Sequence, residues 1–153
     1  MTRVMAPALV CFLALTAPAR ADEAFSQLIR ARCLQCEFTA GVSTSLQSGK
    51  LVSSPGSSPK ELLTFDAIDP KTRTARLIAG EVSDVLVVPT VAGLTFVQET
   101  DAGNLTFTTV FGSYATGSQR YVAVISRHMD NSAGAPVPSQ FYGTCSVLKF
   151  GTP

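Results

Sequence analysis

The chain carries one histidine, and it directly follows an arginine in Ser126-Arg127-His128. An imidazole beside a guanidinium can act as a general base next to an anion clamp. It then needs a nucleophile and an orienting carboxylate within reach. Ser126, Ser139 and Asp130 supply the residue types, but no G-x-S-x-G elbow surrounds either serine. Tyr121, on the same stretch, adds an aromatic hydroxyl, so Tyr121, Arg127 and His128 form the set of binding candidates. The plainer reading weighs more: an Arg and a His at a strand end, bonding to backbone or to the 130–139 loop.

Cysteine is the second source of chemistry. Cys33-Leu34-Gln35-Cys36 has the spacing of a redox pair, and Cys145 stands alone near the end. Redox pairs use a helix N-terminus to lower a thiol pKa, usually in a βαβ setting. Here the pair falls between a helix end and a strand, so a structural disulfide is favoured. A zinc site from Cys33, Cys36, Cys145 and His128 has no second tight ligand pair behind it. Asp66 and Asp69 fit a turn better than a catalytic dyad. Asn104-Leu105-Thr106 matches a glycosylation triplet but sits where turn chemistry explains it. No phosphate loop, HExxH or calcium loop occurs, and the sequence implies no cofactor.

The elements that must position these residues are strands. In residues 93–112, "GLTFVQETDAGNLTFTTVFG", two alternating runs flank a turn, the pattern of strands with one buried side. A four-residue loop at 101–104 would pair Thr100 with Leu105, Leu94 with Phe111, Phe96 with Thr109 and Gln98 with Phe107. On that register Leu105, Phe107 and Phe111 share the inner face with Leu94 and Phe96.

Upstream, 22–33 has helical apolar spacing, with Asp22 and Glu23 suited to its positive end. Residues 36–46 alternate as a strand, and 47–60 read as a polar, mobile loop. Further strands are expected at 61–69, 74–80, 81–90, 120–129 and 140–150, with loops at 112–119 and 130–139.

About eight strands follow one another with no helices between them, which excludes a parallel βαβ sheet. An antiparallel up-and-down meander is expected, and closure into a small barrel removes its open edges. A two-sheet sandwich is the alternative. Closure makes the first and last strands neighbours, so a Cys36–Cys145 disulfide across the seam is favoured, with Cys33–Cys145 the runner-up.

The first residues carry Arg3, an apolar run to about Ala17, and the small-x-small site Ala19-Arg20-Ala21. This is the pattern of a signal peptide at 1–21, cleaved before Asp22. The expected domains are then the leader, a short helix at 22–35 and one barrel at 36–150. The whole chain has 12 basic and 11 acidic side chains with no basic stripe, which argues against a nucleic-acid partner. After cleavage no apolar run reaches membrane-spanning length. The expected location is periplasmic or secreted.

At "GLTFVQETDAGNLTFTTVF", "SRH" and "SQFYGTC" the chain resembles a family of small exported proteobacterial proteins, over about Cys36 to Cys145. That resemblance implies neither an activity nor catalytic residues. The strand pattern is also similar to lipocalin-like small barrels, an analogy of fold alone. The expected function is an exported, non-enzymatic barrel that binds a small apolar ligand or a protein partner. Phe38, Phe65, Phe96, Phe107 and Phe111 are expected to fill the interior, leaving loops 47–60 and 112–119 for contacts. The alternatives are a small periplasmic enzyme using Arg127 and His128, a hydrolase-inhibitor-like protein, and an envelope protein with no discrete ligand.

Overall fold

A computed structural model describes residues 18–56, 61–100, 103–130 and 136–148. Most of the expected leader, the hairpin residues 101–102, and parts of the expected loops at 57–60 and 131–135 lie outside them. So do residues 149–150 of the last expected strand.

The chain forms one helix and nine strands: α1 (Pro18–Arg30), β1 (Leu34–Gln47), β2 (Lys50–Gly56), β3 (Glu61–Asp69), β4 (Thr74–Ala79), β5 (Glu81–Thr90), β6 (Gly93–Glu99), β7 (Leu105–Tyr114), β8 (Tyr121–Asp130) and β9 (Pro136–Val147). From β3 to β9 each strand pairs antiparallel with the next, β3 pairs with β1, and β1 pairs with β9. Eight strands therefore close a barrel, and β2 is an extra strand outside it.

That extra strand corrects the reading of 47–60 as a loop. β1 runs on past the barrel rim, and one of its edges is shared end to end. Residues 34–38 pair with β3, and residues 41–47 pair with β2. Ser48 and Gly49 make the tight turn, both with positive φ. Its polar composition hid the strand: Lys50–Gly56 is solvent-exposed along nearly its whole length, so no apolar alternation marks it.

The hairpin between β6 and β7 exists, but its register differs from the expected one by one residue. Glu99 pairs with Leu105, Val97 with Phe107, Phe96 with Thr108 and Leu94 with Val110. Turn geometry decides this. Thr100 bonds to Asn104 instead of Leu105, its N–H donating to the Asn104 carbonyl at 2.9 Å, and Gly103 takes φ +76°. The loop is one residue shorter than four, so every pair moves by one. Thr108 and Val110 consequently face inward and are buried, while Phe107 and Phe111 lie on the outer wall, half-buried.

Phe38, Phe65 and Phe96 do fill the barrel, with Phe65 and Phe96 stacked at 4.0 Å between ring centroids. Leu34, Ile68, Val87, Leu94, Val110, Tyr121 and Ile125 complete a core with no solvent exposure to speak of. The Cys36–Cys145 disulfide joins directly opposed residues of β1 and β9, as expected, and the runner-up partner Cys33 is a buried free thiol. Burial, and then the nearby Asp66 carboxylate, raise that thiol's pKa above its ordinary value.

Helix α1 closes the lower end of the barrel. Ala24, Leu28 and Ala31, at i, i+4 and i+7, turn into the core. Gly112 on β7 lets the helix come close, because a Cβ there would lie 2.5 Å from the Phe25 ring. The helix begins at Pro18, so Asp22 and Glu23 lie past its first turn, contrary to the reading that put them at its start.

Tyr121 ties the helix down, its hydroxyl donating to the Ala24 carbonyl at 3.1 Å. Burial, and then the hydrogen bond with Tyr114, raise the Tyr121 pKa well above its ordinary 10.0. A tyrosine held neutral in the fold ionises first in the unfolded chain. The stability it contributes is intact below pH 10 and declines as pH rises beyond it. Tyr121→Phe is expected to flatten that alkaline decline, at a cost of about 1 kcal/mol at neutral pH for the lost bond. Chemical denaturation of both proteins between pH 8 and pH 11 measures it; parallel curves would show that Tyr121 carries none of the decline.

Candidate functional site

Along β8 the alternation Tyr121, Ala123, Ile125 points inward, and it carries Arg127 and Met129 to the inside of the upper rim. His128 consequently faces out. The two adjacent side chains leave β8 in opposite directions and share only a recess beside β9 that both line. Tyr121 sits at the far end of the same strand, under α1. The structure therefore leaves Tyr121 apart, while Arg127 and His128 meet only in the recess beside β9, and the upper end of β8 is where the chemistry collects.

Inside that end is a recess of about 240 Å³. Leu63 and Leu77 form its floor on the core, and Ala79 and Met129 continue the apolar wall. Gln98, Thr100, Asn104 and Thr106 supply neutral polar groups at the ends of β6 and β7. Gln98 is held by a bond from its amide to the Ser83 hydroxyl at 3.3 Å. Among the described residues, Glu61 and Arg127 are the charged ones lining the recess, and one Arg127 guanidinium nitrogen (Nη2) donates to Glu61 Oε1. The guanidinium also lies over the Phe141 ring, 5.2 Å from its centroid. Glu61 was missed in reading the sequence. It starts β3 beside a Ser/Pro-rich stretch, and only the period-two pattern with Leu63 and Phe65 signals that it faces inward.

Outside the wall, His128 lies edge-on to Phe107, with centroids 5.5 Å apart at 74°. It lines a wider surface groove of about 590 Å³ with Asn104, Met129, Asp130, Pro136 and Pro138. A third recess, of about 290 Å³, runs beside β9 and is lined by Val42, Thr44, Arg127, His128 and Gln140, among others. The Ser126 hydroxyl, a candidate nucleophile, accepts a bond from the Gln140 amide at 3.3 Å. Cys36 and Cys145 are consumed in the disulfide, and among the described residues no group of three His, Cys, Asp or Glu side chains is placed to hold a metal ion.

Asp66 and Asp69 are structural. Asp66 holds Arg76 through two bonds of 2.9 and 2.7 Å on the outer face. The Asp69 carboxylate accepts the Lys71 N–H at 2.9 Å, and that backbone bond is the main cause of its lowered pKa.

No helix among the described residues is long and apolar enough to cross a membrane. No protein-family model, curated protein or solved structure matches the chain.

Proposed function

We propose that this chain is an exported, non-enzymatic small barrel that binds a small, mainly apolar molecule at the rim opposite α1. One observation carries the reading: side chains fill the barrel from the helix upward, yet the upper end keeps a recess with an apolar floor and convergent polar groups. That combination is the ordinary make-up of a ligand site. Small barrels either pack their interiors or hold one ligand; here the packed part becomes the floor of a shallow cup.

Export rests on the leader pattern at 1–21 with its cleavage position Ala21/Asp22. A disulfide between strands fits an oxidising compartment, either the periplasm or the exterior. The resemblance to small exported proteobacterial proteins points the same way. The enzymatic alternative needs Arg127 and His128 to converge. They share only the recess beside β9, with Arg127 bonded to Glu61 and Phe107 against the imidazole, and that counts against it.

Native mass spectrometry of the protein purified from its own host, combined with NMR screening of small, mainly apolar compounds with and without polar head groups, tests the reading. A retained small mass, and shifts confined to Leu63, Leu77, Ala79 and Met129, are expected. A bare polypeptide whose rim resonances move with no compound would overturn it.

A further inference from the structure

Among the described residues that line it, the recess at the upper rim contains one positive and one negative group, in contact with each other. Arg127 uses one of its five N–H donors on Glu61, and Glu61 accepts through one of its two oxygens. Each side chain is about a quarter exposed (23% and 25%), so the unused donors and the free carboxylate oxygen remain reachable from the recess. The Phe141 ring beneath the guanidinium limits how far Arg127 can swing away.

This arrangement selects among ligands by electrostatics. A simple anion on Arg127 would lie against the Glu61 carboxylate, and a simple cation on Glu61 would lie against the guanidinium. A purely apolar molecule would strip water from both ions and return no hydrogen bond, which is costly for charged groups. A molecule bearing adjacent negative and positive groups meets neither difficulty. Its carboxylate accepts from the free Arg127 N–H groups, its ammonium donates to the free Glu61 oxygen, and the four charges alternate in sign. The floor of Leu63 and Leu77 then takes an aliphatic side chain, and about 240 Å³ accommodates a molecule of single-amino-acid size.

We infer that the rim site binds a small α-amino-acid zwitterion with an apolar side chain, held by the Glu61–Arg127 pair. This inference rests on the rim being a ligand site, as proposed above, and names the ligand's chemical class.

The test is an NMR titration of the unaltered protein with four probes: L-leucine, leucinamide, 4-methylpentanoate and isopentylamine. L-leucine is expected to shift the resonances of Glu61, Arg127, Leu63 and Leu77. The amide, which lacks the carboxylate, the acid, which lacks the ammonium, and the plain amine are each expected to bind at least about tenfold more weakly, because each loses a charge-assisted bond. Arg127→Lys keeps the charge but loses the planar fork, and is expected to weaken L-leucine by a similar factor. Glu61→Gln should erase the advantage of L-leucine over 4-methylpentanoate. The analogue series uses the unaltered protein, so it decides the question even if a variant fails to fold. Equal or tighter binding of 4-methylpentanoate or isopentylamine at these residues would overturn the zwitterion and leave the rim site standing. Silence of the rim toward all four probes and toward apolar compounds would overturn both.

Discussion

Reducing the Cys36–Cys145 bridge is expected to lower the melting temperature by roughly 10–20 °C, the largest effect foreseen for any single covalent change here. The bridged residues are 109 positions apart, so the unfolded chain regains the freedom of a very long loop. Loop-closure entropy puts that at about 4–5 kcal/mol. Both sulfurs are wholly buried at the seam, where the β1–β9 ladder continues on either side, from Leu34 opposite Val147 to Ser43 opposite Ser139. The native barrel should therefore survive reduction and melt early. Thermal unfolding followed by circular dichroism, with and without a strong reductant, gives the shift directly. The double variant Cys36→Ala/Cys145→Ala should melt early under both conditions. Cys33→Ala should keep the full difference between conditions, because its thiol has no partner in the bridge. A shift of under about 3 °C on reduction would mean that the loop-entropy account fails for this chain.

The second large effect is expected at Phe96. Its ring is stacked on Phe65 at an interplanar angle of 16° and is 1% exposed, so Phe96→Ala opens a cavity that neighbouring strands cannot collapse into. Substitutions of this kind cost about 3–5 kcal/mol. Phe107→Ala, nearby on β7, removes the same ring from the outer wall, where it touches His128. That change should cost no more than about 1.5 kcal/mol, by the smaller burial it gives up. Urea denaturation of the two variants compares them at unchanged m-values. The contrast also tests the hairpin register, because pairing Gln98 with Phe107 would turn Phe107 inward and make the two losses similar.

That register shows where the sequence was legible and where it was not. The stretches 61–69 and 81–90, read as strands, match β3 and β5 to the residue, because each has a buried side. Up-and-down order followed from short connections, and the seam disulfide followed from closure. The inner face of β7 did not follow. Leu105, Phe107 and Phe111 are more apolar than Thr106, Thr108 and Val110, and hydropathy alone chose the wrong set. A local matter, Thr100 bonding Asn104 with Gly103 left-handed, outweighed it. The outer wall tolerates the Phe107 ring because His128 partly covers it.

The candidate site was legible only as two neighbouring letters, Arg127 and His128. The opposite directions of their side chains follow from period-two geometry alone and were implicit once 120–129 was read as a strand. Glu61 could not be linked to Arg127, because a contact across 66 positions depends on the barrel's closure.

The same closure imposes an order of events on biosynthesis. β1 emerges among the first strands and β9 last, yet they lie side by side. Until the C-terminal segment arrives, one flank of β1 has no ladder partner, and its cysteine has a near neighbour, Cys33, to react with. The nascent polypeptide must therefore pass through a stage exposed both to adhesion along that flank and to mispairing of thiols. Yield in an oxidising host should accordingly depend more on how quickly the final strand follows than on how stable the finished ring is.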